Sequence, residues 1–357
     1  MSQTIQCNVF QTLSDFMKIA PRFGGQTKQD IESFFAFCME GMETNSEMLL
    51  ATLFIKALNK KINSEFIGEN VYLGKYEISQ IQLFNILIEQ FPFVKFSQHI
   101  TNNAIVEEMH GCKEVTLVDI GIGQGTQVIN IIELSKNLPH LRKLHVVGIE
   151  PFGDALAKAG ENILAFNGKV PFQIEFTAIH DFVENVDFAA IKNVRGKIIV
   201  NASLALHHIQ SDLLRLDTIA KVREMNPALF ILIEPNVNHY EPDFYTRFQN
   251  CYRHFHAIFQ VIDRIENIGN ADKNALKLFF GREIEDIIGK EEKDRFEKHE
   301  PATHWIGRLR QSNFSIKNDL LKSPVEAGCG VEINYRKEGF LGFSHEDETV
   351  LAVICAN

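Results

Sequence analysis

Asp119, Gly121, Gly123 and Gly125 occupy alternate positions directly after an apolar run and directly before a helix-compatible one. Glycine lets backbone turn tightly and approach a ligand with no Cβ in the way. In a strand–turn–helix context this spacing marks a site for the nucleoside part of a cofactor. Glu150 closes the next apolar run, His145-Val-Val-Gly-Ile149, where an acidic side chain accepts ribose hydroxyls. Two cofactor classes share this architecture. Nicotinamide dinucleotides favour G-x-G-x-x-G, whose third glycine packs helix on strand beneath a pyrophosphate. S-adenosylmethionine has no phosphate, and D-x-G-x-G-x-G favours it, with Asp119 facing the methionine ammonium directly or through water. Ile179, ending a third strand, would give the adenine an apolar face, and Asn201, ending a fourth, joins the same set. The expected cofactor is S-adenosylmethionine, with S-adenosylhomocysteine as product.

Methyl transfer from a sulfonium is an in-line displacement, so the protein aligns acceptor and donor and removes a proton. His207, His208 and Glu234 follow strands four and five, the edge where open α/β sheets place their chemistry, and are the catalytic candidates. A histidine near neutral pKa suits a base for a hydroxyl or amine. Against that stand ordinary structural roles: a histidine capping a helix start, and Glu234 paired with Arg247 as a buried ion pair, the preferred partner for it. His239 and Arg247 are substrate-binding candidates, the latter through a bidentate contact with an acidic group. The charged run 290–298 reads as a solvated helix face.

These residues need a scaffold. Residues 115–119, 144–149, 172–177, 197–201 and 229–233 are short, β-branched strand candidates alternating with helical patterns at 126–136, 154–166 and 211–225. That alternation predicts a parallel sheet buried on both faces. A helical stretch runs on to about 266, followed by a helix-compatible one to 300, and the tail 331–355 predicts two antiparallel runs joined near 344–349. Upstream, residues 30–58 and 78–91 carry amphipathic helix patterns, the second stopped by Pro92. The expected fold is α/β: a Rossmann-like class I methyltransferase sheet, mostly parallel with an antiparallel C-terminal hairpin, under an N-terminal helical cap. Residues 1–110 form the cap and 111–357 the core, with a helical insertion at about 236–300 contributing to the cap.

A net charge of −10 and a pI of about 5.7 lack the basic footprint that phosphate backbones select. Nucleic-acid methylation is disfavoured further by the lack of an N/D-P-P-Y/F motif after strand four. The expected partner is a small-molecule substrate, with no nucleic acid and no membrane; a homodimer is left open. Six cysteines without a C-x-x-C pair argue against a disulfide framework, predict no metal site, and suit a reducing compartment. The start of the chain shows no signal-peptide pattern, and no apolar run approaches the ~20 residues that span a bilayer, so a cytoplasmic protein is expected.

From Phe91 onward the chain resembles the GRAS-domain family. Phe91-Pro-Phe-Val-Lys-Phe96 and Asn103-Ala-Ile105 lead into Val115-Thr-Leu-Val-Asp119 and Gly125-Thr-Gln127, which is similar to the VHIID block. Leu206-His207, then Glu234-Pro-Asn-Val-Asn238-His239 through Phe244-Tyr-Thr-Arg247-Phe248, resemble later blocks. Trp305-Ile-Gly-Arg308-Leu309 and Gly339-Phe-Leu-Gly342-Phe343 resemble the C-terminal SAW block. Asn103, within this match, is added to the cofactor-binding candidates. Thr116 stands for the family's His and Val128 for its Trp, and no Trp stands near Cys355. Plant members are transcriptional regulators, usually without the complete glycine motif. The intact motif and Glu150 resemble bacterial members, for which the resemblance implies methylation of small molecules. The alternative is a regulatory or ligand-sensing protein that binds S-adenosylmethionine or another small molecule without turnover.

Overall fold

Side chains alternate across each strand with period two, and here both faces find a core. In β5 (Leu229–Pro235), Leu229, Ile231 and Ile233 enter one apolar cluster while Phe230 and Leu232 enter the other. β1 (Glu114–Ile120), β2 (Lys143–Ile149), β3 (Gln173–Ile179) and β4 (Lys197–Ser203) run parallel with it. Three antiparallel strands, β6 (Val331–Arg336), β7 (Phe340–His345) and β8 (Glu348–Ala356), complete an eight-stranded sheet. The order is β3-β2-β1-β4-β5-β8-β7-β6. Connections leave β1 and β4 in opposite directions, so a crevice opens at their carboxyl ends, where open α/β sheets take ligands. The structure is a computed structural model describing residues 8–19, 25–61, 80–191, 194–321 and 326–357. Positions 1–7 and 78–79, and the side chains of Ile81 and Phe84, lie outside the description.

Helices α1 (Val9–Ile19), α2 (Gly25–Gly41), α3 (Ser46–Lys61) and α4 (Gln80–Glu89) form the N-terminal layer. α3 packs against both α9 (Phe244–Asp263) and α10 (Asn270–Gly289), so the helical layer is built from two distant parts of the chain. Leu50, Phe54 and Phe248 share one buried cluster with Val115 and Leu117 of β1. Cap and sheet thus have a common core. α6 (Thr126–Ser135) and α7 (Gly153–Leu164) are crossovers on the same side. α8 (Asp212–Glu224) and α11 (Ala302–Gln311) cover the other face, with the Trp305 ring fully buried. Among the described residues no helix is long and apolar enough to cross a membrane.

Three features differ from the sequence expectation. Pro92 does not merely end a helix: it is the first residue of α5 (Pro92–Glu108), where its missing N–H has no intrahelical partner to lose. α5 packs along α6 and against β5 and β8, so residues 92–108 belong to the sheet's helical layer and not to a cap reaching 110. The tail forms three strands where two were expected, because the chain also turns at Gly339, whose φ of +109° suits glycine. Residues 290–298 are not an α-helix but, apart from one 3-10 turn at Glu292–Asp294, an irregular strap burying Arg295, Lys298 and, just beyond, His299.

Candidate active site

The loop after β1 folds onto the end of β2, with Gly121 N and Ile122 N both donating to the Ile149 carbonyl at 2.9 and 3.2 Å. A Cβ on Gly121 would lie 2.7 Å from the Ala205 Cβ, so only glycine lets this loop meet the one after β4. Gly123 has φ +53°, and a Cβ there would meet no protein atom within 4 Å. Gly125 caps α6, and a Cβ there would press on Ala159 of α7 at 3.3 Å. Glu150 ties the rim together: Oε2 accepts the Gly123 amide at 3.0 Å and Oε1 the Phe152 amide at 3.2 Å.

Behind the loop lies a buried polar chain. Asn201 donates to Asp119 at 2.6 Å and to Gln127 Oε1 at 3.2 Å, and Gln127 donates to Asn102 at 3.0 Å. Burial raises the Asp119 carboxyl to about 7, against the lowering effect of the Asn201 hydrogen bond. The Asn201 Oδ1 is buried with no protein partner. Asn103, expected at the cofactor, turns its amide to His99 at 3.2 Å; its neighbour Asn102 makes the link, one helical step round α5. Ile179 ends β3 half-buried against the second core.

At the end of β4 the chain bends sharply. Leu204 takes φ +55°, an unfavourable conformation for a bulky residue and a mark of functional sites. The next amides, Ala205 and Leu206, converge on Glu234 Oε1 at 3.3 and 2.8 Å. Glu234 Oε2 meets His207 Nδ1 at 2.7 Å. This overturns the expected Glu234–Arg247 pair: Arg247 donates to the Glu241 carbonyl at 2.6 Å, and the carboxylate's partner is His207. Burial lifts Glu234 to about 7 and lowers His207 to about 3, so the imidazole is neutral at physiological pH. With Nδ1–H donated to Glu234, the lone pair sits on Nε2. His208 is half exposed, its Nδ1 no closer than 4.0 Å to Glu297, so the two histidines are not equivalent.

Around His207 stand the expected His239 and three residues the sequence did not single out, Glu297, His299 and His254. His207 Nε2 lies 3.5 Å from Glu297 Oε2, which also faces His299 Nε2 at 3.1 Å. His239, from the loop after β5, packs against His299 with ring centroids 4.9 Å apart, and His254 of α9 stands 5.8 Å from His239. Burial holds His239 well below its usual pKa and His254 down to about 3. The strap that delivers Glu297 and His299 is anchored by Asp286, which accepts the Phe296 and Glu297 amides at 2.8 Å each. The His239 amide completes the anchor, donating to the His299 carbonyl at 3.0 Å. Nothing in the local sequence marks Glu297: its role depends on Asp286 and His239, 11 and 58 positions away in a chain otherwise rich in charge.

Residues 39–350 match the GRAS domain family. This chain belongs to that family. Protein SLENDER RICE1-LIKE 1 of Oryza sativa subsp. japonica is 29% identical over 248 residues, covering 65% of this chain and 49% of that protein. The DELLA protein GAIP of Cucurbita maxima is 26% identical over 279 residues, 74% of this chain and 46% of its own. The chain spans about half the length of these curated GRAS relatives. Both are plant proteins, so they lend no support to a bacterial type. The crystal structure of SCL7 in Oryza sativa superposes with a TM-score of 0.79 at 19% identity, over 98% of this chain and 99% of that one, which establishes the shared GRAS fold. A SAM-dependent methyltransferase from Methanosarcina mazei is a remote neighbour, with a TM-score of 0.38 and 14% identity over 71% of this chain and 95% of that one. At that level the likeness carries no argument about chemistry.

Proposed function

We propose that this GRAS protein is an S-adenosylmethionine-dependent methyltransferase acting on a small molecule, in the manner implied for bacterial members of the family. The observation that carries the proposal is the His207–Glu234 pair, held at the carboxyl edge of the sheet and joined to the glycine loop through Ala205 and Gly121. The chain's own groups suit the cofactor. Asp119 and the unpartnered Asn201 Oδ1 offer two buried acceptors to an ammonium, Glu150 offers carboxylate lone pairs at the loop rim, and Gly123 leaves the backbone bare. When bound, the cofactor supplies an electrophilic methyl group. His207 Nε2 takes the proton from an acceptor O–H or N–H as the acceptor gains that methyl, and Glu234 stabilises the resulting imidazolium. Arg247, on α9 of the cap, and His239, stacked on Phe255 of the same helix, are the residues proposed to face the substrate.

Calorimetry with S-adenosylmethionine, S-adenosylhomocysteine and NAD(P) tests the cofactor. Binding of either sulfur ligand is expected, and binding of NAD(P) alone would sink the assignment. Gly123→Val should abolish detectable binding with an unchanged circular dichroism spectrum, since a β-branched side chain at φ +53° is strained by ~1–3 kcal/mol and occupies the open side of the loop.

Proton linkage provides a second check. If the Asp119 carboxylate receives the cofactor's ammonium, its proton must leave on binding, because its carboxyl titrates at about 7 in the free protein. Affinity should therefore rise with pH below 7, by up to about tenfold per unit, and flatten above it. In Asp119→Asn the profile should be flat over that range. A wild-type profile already flat between pH 5.5 and 7 would separate Asp119 from cofactor binding.

One finding favours a regulatory alternative: a relative of this chain is the Scarecrow-like transcription factor PAT1 of Arabidopsis thaliana, 24% identical over 76% of this chain and 59% of that protein. A binding protein without turnover would keep cofactor affinity and show no acceptor-dependent product.

A further inference from the structure

The cluster beyond the dyad holds more ligating atoms than methyl transfer uses. Glu283 of α10, Glu297 and His299 each bring one donor atom within 4.8 Å of the others. They come from separate elements: the C-terminal half of α10 and the strap that Asp286 pins to it. Two carboxylates gathered this closely repel each other, and neither is ion-paired to a lysine or arginine among the described residues. The surrounding imidazoles are equally short of partners. His239 is fully buried with no hydrogen bond at either ring nitrogen, and the Nδ1 atoms of His254 and His299, both at least 98% buried, have none. Three nearly water-free rings that face one another with four nitrogens unused leave those buried polar atoms unsatisfied at a cost of ~1–3 kcal/mol each, unless something else satisfies them.

We propose that Glu283, Glu297 and His299 bind a divalent transition cation of the zinc class, with His239 and His254 next to the site to supply further imidazole nitrogen. Mixed carboxylate and imidazole donors suit zinc, cobalt, manganese or iron, and two carboxylates offset the ion's charge in a buried setting. Donors at ~2.0–2.2 Å from one ion stand at most ~4.4 Å apart, so the 4.8 Å set closes with small side-chain movements. A second grouping, His207, His208 and Glu297, shares Glu297 with the first. The first is favoured because His207 already bonds Glu234 and His208 is half exposed, while the orphaned nitrogens surround His299. The site goes beyond methyl transfer and is read without it.

The test uses the full chain, stripped with a chelator and titrated with cobalt(II) alone. Expected are one cobalt per chain by elemental analysis, a visible ligand-field absorption that saturates, and its loss on adding zinc. Glu283→Gln should weaken cobalt binding by more than ~100-fold, beyond what loss of an outer-shell partner costs, while His208→Ala leaves it unchanged. Wild-type protein that shows no saturable cobalt absorption overturns the proposal regardless of how the variants fold. So does a band kept in a folded Glu283→Gln protein and lost in His208→Ala, which would put the ion on the other grouping. X-ray absorption of the wild-type cobalt protein adds a check free of mutation: imidazole and carboxylate donors are expected, and an all-water shell contradicts the site.

Discussion

His207→Ala is expected to lower methyl transfer by ~10²–10⁴-fold with S-adenosylmethionine affinity little changed, the usual worth of a positioned base. The imidazole is neutral, its Nδ1 is held by Glu234 at 2.7 Å, and its Nε2, 3.5 Å from Glu297 Oε2, is the atom proposed to meet the acceptor. Glu234→Gln should reproduce most of the loss by a different route. A glutamine can keep its carbonyl on the Leu206 amide, but it then turns an NH₂ toward Nδ1, and the ring must carry its proton on Nε2, where it cannot accept another. His208→Ala, at a half-exposed ring with no carboxylate within 3.5 Å, should cost less than about tenfold. Single-turnover rates of S-adenosylhomocysteine formation measure all three. A His208 variant slower than the His207 variant would reassign the base.

The largest stability effect is expected at Arg215. Its guanidinium is completely buried between the rings of Tyr240 and Trp305, at 4.9 and 5.1 Å from their centroids. It donates to Glu300 and to the carbonyls of Ile209, His207 and Lys298, at 2.9, 2.6 and 2.9 Å for the three carbonyls. One side chain therefore ties the loop after β4 to the strap that carries Glu297. Arg215→Met keeps much of the volume and removes every donor, leaving buried acceptors unpaired and Glu300 supported only by Arg308 and the half-exposed His304. Breaking a buried pair from one side costs ~3–5 kcal/mol. Urea denaturation would read this as a large fall in the midpoint with little change in slope. A loss below about 1 kcal/mol would mean that these bonds contribute little beyond what water offers the unfolded chain.

Contiguity decided what was legible in the sequence. β1, β2, β4 and β5 are short apolar runs because both their faces are largely buried, so pattern alone located them within a residue or two, and the half-exposed edge strand β3 was found as closely from its β-branched and aromatic residues. The glycine loop and Glu150 are legible for the same reason: backbone geometry and chemistry are written in one stretch. Partnerships across the chain are not. Glu234 is 13 positions from Arg247 and 27 from His207, and nothing local says which cation or ring it faces; the left-handed turn at Leu204 settles it in favour of His207. The strap at 290–298 has the charge density of a solvated helix, yet Asp286 and the His239 loop pull it inward as irregular chain. The histidine cluster draws on residues 207, 239, 254 and 299, which share no spacing that a motif could capture. Cysteine spacing, which predicts no metal site, carries no information about a cluster built from histidine and glutamate.

Methyl transfer itself is tested most directly by following the methyl group. The full chain is incubated with methyl-labelled S-adenosylmethionine and a metabolite extract from the source cells, and label is sought in small molecules, protein and nucleic acid while S-adenosylhomocysteine is quantified. Label is expected in small molecules, with S-adenosylhomocysteine that forms only when extract is present, both lost in His207→Ala. Tight binding of S-adenosylmethionine with no acceptor-dependent S-adenosylhomocysteine across varied extracts would contradict it and leave a ligand-binding regulator in its place.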